Sequence, residues 1–108
     1  MTDRELLQFA AKAAGIEFSW LGRGARLDRK PGVMQPYVPW NPLENDGDAL
    51  RLAVKLEIQN GYSELSGCGF AAYGRGSFDC HEYGPEDPCR ATRRVITRAA
   101  AEIGKALP

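Results

Sequence analysis

VPWNPLENDGDALRLAVKL, residues 38–56, sets Trp40, Asn41, Pro42, Glu44, Asp46 and Asp48 in front of a helical pattern. Such residues build active sites, and they also build joints where a turn hands the chain to a helix. Their order favours a joint. Asn41 precedes Pro42, which drives it out of the helical region, and its side chain is placed to bond an amide two residues on, so a turn begins there. Asp46 is expected to cap the helix, with Asp48 in the first turn, where the dipole favours an acid. Ala49, Leu52, Ala53 and Leu56 then form an apolar face flanked by Leu50 and Val54, with Arg51 and Lys55 on the wet side. Paired carboxylates also serve as general acid and base or as magnesium ligands. Capping, however, requires these residue types at these places. Trp40, Asn41, Pro42, Asp46 and Asp48 are therefore read as structural, with Trp40 a core anchor under the turn.

On the N-terminal side, Thr2 and Glu5 form a capping box that starts a helix. Leu6, Phe9, Ala10, Ala13 and Ala14 recur at helical spacing, and the small late positions suit close approach to a flat partner. Gly15 supplies a left-handed terminator, with Ile16 as the apolar residue beyond it. IEFSWL (16–21) alternates apolar and polar side chains and reads as a strand. GRGARLDRKPG (22–32) reads as a loop with a basic tip. In VMQPYVPW (33–40), Pro36 and Pro39 donate nothing to a ladder and confine the chain to an edge or an arm.

On the C-terminal side, EIQNGYSEL, GFAAYG and GSFDCHEYG are short, glycine-bounded and aromatic, which suits strands joined by tight turns. Asn60-Gly61 is a hairpin signal, although the helix before it leaves little room for a strand. In DPCRATRRVITRAAAEIGKAL (87–107), Asp87 caps a last helix and Pro88 takes its tolerated first position. Thr92, Val95, Ile96, Ala99 and Ile103 point inward, and Gly104 reads as a frayed end. Three helices with short antiparallel strands between them make an α+β domain with helices packed on a central sheet. The chain of 108 residues suits one such domain, 1–108.

WNPLENDGDALRLAVKL (40–56) and ATRRVITRAAAEIGKAL (91–107), in that order behind ELLQFAAKAAGIEFSW, resemble the phage ABA sandwich domain family, small proteins encoded by bacteriophages and prophages. The resemblance spans nearly the whole chain and is loose over 57–85, and Cys68, Cys80, Cys89 and His81 do not look like family features. It implies a three-layer α/β/α sandwich, a central antiparallel sheet flanked by about three helices. It implies no reaction and carries no catalytic residues.

Composition narrows the function classes. Hydrophobic residues are 44% and charged residues 26% of the chain, and fourteen bases balance fourteen acids. Zero net charge removes the whole-chain argument for a nucleic-acid or membrane partner. The opening MTDRELLQFAAKAAG carries acids and no apolar leader run, so no secretory signal is expected, and no run approaches the ~20 apolar residues of a membrane span. Three cysteines without framework spacing fit a reducing, cytoplasmic setting.

Candidate chemistry is sparse. Cys68, Cys80, His81 and Cys89 carry zinc-binding atoms but lack the short chelate loops of a zinc site, and Cys80 and His81 would face opposite sides of a strand. No metal, cofactor or catalytic residue is assigned. Arg90, Arg94 and Arg98 recur every fourth residue with Arg93 beside them, and Arg23, Arg26, Arg29 and Lys30 cluster in the 22–32 loop. If adjacent, the two patches would grip phosphates; an arginine stripe with acids nearby is otherwise a solvated face. Tyr62, Phe70, Tyr73, Phe78 and Tyr83 form either the sheet's core face or an aromatic patch for a partner. The expectation is a binding module for a phage or host protein, with nucleic-acid binding as the alternative. An uncovered strand edge would also allow a homodimer by strand addition.

Overall fold

The computed structural model describes residues 1–21, 24–27, 38–74 and 78–108, with side chains over 1–17, 39–74 and 79–108. Its elements in chain order are α1 (Asp3–Ala14), β1 (Phe18–Leu21), β2 (Gly24–Leu27), β3 (Val38–Pro39), α2 (Asp46–Leu56), β4 (Gln59–Ser63), β5 (Cys68–Tyr73), β6 (Phe78–Tyr83) and α3 (Pro88–Ala106). The strands form two antiparallel sheets, ordered β1-β2-β3 and β4-β5-β6. The expected α+β sandwich of helices on an antiparallel sheet is present, with α3 as its axis. One side of α3 lies on β4, β5 and β6, and others meet α1 and α2.

Local chemistry sets the helix ends. The Thr2 hydroxyl accepts the Glu5 amide at 3.2 Å while Glu5 reaches back, completing the capping box. Gly15 closes α1 at φ 66°, and the Ile16 amide bonds the Ala11 carbonyl. α2 ends the same way with Glu57 at φ 55°, the Ile58 amide returning to Ala53 and Ile58 buried. Asp87 caps α3 by accepting the Arg90 amide, and Pro88 opens it. The cap of α2 lies one residue earlier than expected. Asn45 is extended and accepts the Asp48 amide at 2.9 Å, so Asp46 is the first helical residue. The turn before it is as expected, with the Asn41 side chain accepting the Leu43 amide at 3.0 Å. Trp40, Pro42 and Leu43 are buried beneath it.

Small residues let the layers close. Gly69 of β5 lies under the first turn of α3, where a Cβ would stand 3.0 Å from the Ala91 carbonyl group. Ala71 and Cys80 continue that buried face, opposite Val95, Ile96 and Ala99. α1 meets α3 through Ala10, Ala11, Ala14, Ala100 and Ala101, all buried. Gly104 is no frayed end: it is buried in this seam against the Phe9 carbonyl, where any Cβ would collide. Leu7 and Ala11 are buried more fully than Phe9 and Ala13, which places the α1 seam one position from the expected face.

Strand and turn positions also differ from expectation. Residues 24–27, expected in a loop, form β2 because they pair with 18–21 from Phe18↔Leu27 to Leu21↔Gly24. Asn60-Gly61 is no hairpin turn but lies inside β4, opposite Ala71 and Phe70. The turn falls at 64–67 instead, where Gly67 supplies the positive φ. Pro39, in the edge strand β3, is where proline is tolerated.

Candidate functional site

Two acids of the 38–56 joint, Asp46 and Asp48, hold structure together. Asp48, 8% exposed, accepts the Asn41 amide at 3.0 Å through Oδ2 and the Arg51 guanidinium at 2.7 Å through Oδ1. Asp46 receives Arg93 Nη1 at 2.7 Å, and Arg93 Nε donates to the Leu43 carbonyl at 3.0 Å. One arginine thus bolts the turn and the α2 start to α3.

Two further arginines of the stripe, Arg94 and Arg98, are also engaged. Arg94 reaches Asp3 at 3.3 Å and Glu82 at 3.5 Å, while Arg98 donates to Glu82 at 2.7 Å and to the His81 carbonyl at 2.9 Å. Arg90 is exposed in the first turn of α3. Arg23, Arg29 and Lys30 lie outside the described residues, and Arg26 is placed on β2 by its backbone alone.

The thiols and His81 are dispersed. Cys80 is buried, donating to the Val95 carbonyl at 3.4 Å, while Cys68 is half-buried and Cys89 exposed. Burial pushes the Cys80 thiol above its ordinary pKa; Arg98 acts the other way, and Asp79, Glu102 and Glu82 reinforce the rise. His81 is exposed, opposite Phe70 in the ladder. Among the described residues, no group of three or more His, Cys, Asp and Glu side chains is placed to hold a metal ion.

The sheet edges differ. Arg98 covers the β6 edge at the His81 carbonyl, and Met1 and Leu6 lie beside Glu82 there. β4, the other edge of that sheet, pairs only with β5 among the described residues. Beside it lie two open hollows. One, about 330 Å³, runs between α2 and the start of α3, with Ala49, Leu50, Tyr62, Pro88, Cys89 and Ile96 in its wall. The other, about 360 Å³, is bounded by Leu50, Val54, Glu57, Ile58, Gln59 and Asn60. Leu50 and Val54 are 60% and 70% exposed on this side of α2. Their sequence signal is their place as flanking apolar residues; their exposure depends on how α2 meets α3.

The aromatic residues divide between faces. Tyr62 faces the hollow, Tyr73 packs against the core, and Phe70 and Tyr83 are exposed on the sheet's other face, while the Phe78 side chain lies outside the described residues. The Tyr62 hydroxyl is raised above its ordinary pKa, first by lost solvation and then by Cys68, Glu64, Tyr83 and Glu86. Acids therefore border the far end of β4. No described helix is long and apolar enough to cross a membrane. Comparison with family models, curated proteins and solved structures finds no match.

Proposed function

We propose that this chain is a non-enzymatic protein-interaction module of a phage or prophage, working in the cytoplasm of a bacterial host. It docks a segment of a phage or host protein along the hollows beside β4. The observation that carries this reading is the exposure of Leu50 and Val54, 60% and 70%, next to a strand edge with no second partner among the described residues. Apolar side chains grouped at an open edge leave burial energy and backbone hydrogen bonds for a partner to take up. The phage assignment rests on the resemblance of 40–56 and 91–107.

Nucleic-acid binding is the competing reading, and the geometry favours the protein contact. Arg93, Arg94 and Arg98 already meet carboxylates of the same chain, so a phosphate would have to displace Asp46, Asp3 or Glu82. The test is capture from host lysate, with and without phage infection, after nuclease treatment. A partner retained by wild type and by Arg94→Ala/Arg98→Ala, but lost from folded Leu50→Asp/Val54→Asp, supports the docking reading. Capture that vanishes with nuclease or steeply with rising salt transfers function to the arginines.

A further inference from the structure

We propose that the occupant of this site is an extended peptide segment that adds as a strand to β4, with alternate apolar side chains and cationic residues at its ends. The inference rests on the docking reading and specifies its partner. β4 supplies the template: a partner strand would continue the ladder past β4, Gln59 and Asn60 at the start of β4 are exposed, and every second side chain of the addition would fall toward Leu50, Val54 and Tyr62.

Charge chooses the ends. Glu57 precedes β4, Glu64 follows it, and both are exposed; Glu86 acts on Tyr62 beside the same end. Among the described residues Arg93 is the one base in the walls of the two hollows, and Asp46 and the Leu43 carbonyl occupy it. Arg51 and Lys55 of α2 line neither hollow. A segment with Lys or Arg at both ends therefore meets carboxylates at both, while its middle meets apolar surface. The same acids disfavour a second copy. Antiparallel pairing of β4 with itself about Gly61 would place Glu57 of each copy within one position of Glu64 of the other, gathering like charge at both ends of the pair, which disfavours it.

The test uses the full chain and three synthetic peptides: KKVTLTVKK, the same peptide N-methylated at alternate residues, and EEVTLTVEE, each titrated by fluorescence anisotropy. Amide chemical shifts of residues 59–63 are followed in parallel. The lysine-ended peptide is expected to bind at least tenfold tighter than the glutamate-ended one, to shift those amides, and to lose binding on N-methylation, which removes the ladder donors. Glu57→Gln/Glu64→Gln should close most of the gap between the two charged peptides. Equal binding of the two charged peptides, retained binding of the N-methylated one, or no binding at all overturns the proposal. So does a dimer, seen by sedimentation, that Gly61→Pro abolishes. If the peptides fail while lysate capture still depends on Leu50 and Val54, the docking reading stands and only the strand-addition chemistry falls.

Discussion

The Asp48 carboxylate accepts the backbone amide of Asn41 at 3.0 Å, across the turn that leads into α2. This bond closes the joint from below while Arg93 closes it from α3. Residues that look catalytic in composition are thereby committed to holding the chain.

Asp48→Ala should cost about 1–3 kcal/mol, because the partly buried Asn41 amide loses its acceptor. Arg51→Ala should cost less than about 1 kcal/mol although it breaks the shorter 2.7 Å contact, because the Arg51 side chain is 74% exposed and solvent replaces the pair. Urea unfolding of both variants checks the order. Equal losses would mean that the ion pair, not the backbone bond, holds the turn.

Gly104 tests the seam between α1 and α3. In an isolated helix Gly→Ala gains about 1 kcal/mol of propensity. Here the added methyl would strike the Phe9 carbonyl, backbone that cannot turn aside, and overpacking costs about 1–3 kcal/mol or more. Gly104→Ala is therefore expected to lower the melting temperature by several degrees and Gly104→Leu further. A rise with Gly104→Ala would show that the helices part at no cost.

Features with local causes were legible in the sequence. Thr2 and Glu5, Gly15, and Asp87 before Pro88 act within a turn of themselves, and the structure places each helix end there. Asn45 and Asp46 are neighbours with similar capping chemistry, so pattern alone missed by one position. Gly104 looked like an unravelling end because its reason lies in α1, at the far end of the sequence. The arginine spacing was visible, but its partners Asp3, Asp46 and Glu82 come from three other elements. The hollows beside β4 were hidden for the same reason: Leu50 and Val54 are plainly apolar, yet only the packing of α2 on α3 leaves them outside the core.

Gly61 sits in β4 beneath the ring of Phe70, its opposite number on β5, and a Cβ there would stand 2.7 Å from Phe70 Cζ. The ring covers backbone that glycine leaves bare, a cross-strand pairing worth about 0.2–1 kcal/mol. Phe70→Ala should destabilise by about 1 kcal/mol, and Gly61→Val should recover much of that loss in the Phe70→Ala background, because a β-branched residue suits a strand once the ring is gone. In the wild-type background Gly61→Val should be neutral or harmful. A double-mutant cycle reads the sign difference, and additive effects would dissolve the pair.

The cysteines should separate by burial and by pH. Cys89 is exposed and should react with a thiol reagent at neutral pH within the mixing time, Cys68 more slowly, and Cys80 only on unfolding. Burial raises the Cys80 pKa, so the folded chain keeps this proton to higher pH than the unfolded chain does. Stability from this difference is complete below the ordinary thiol pKa of about 8.5 and is lost as pH climbs through the raised value. Tyr73, raised first by burial and then by Glu102 and Cys80, adds a second loss of the same sign above about pH 10. Urea midpoints should therefore fall from about pH 8.5 upward, and Cys80→Ala should flatten the fall up to about pH 10 while leaving the steeper part beyond. An unchanged profile in Cys80→Ala would mean that the thiol opens to solvent before the fold does, and its reaction rate would then match that of Cys68.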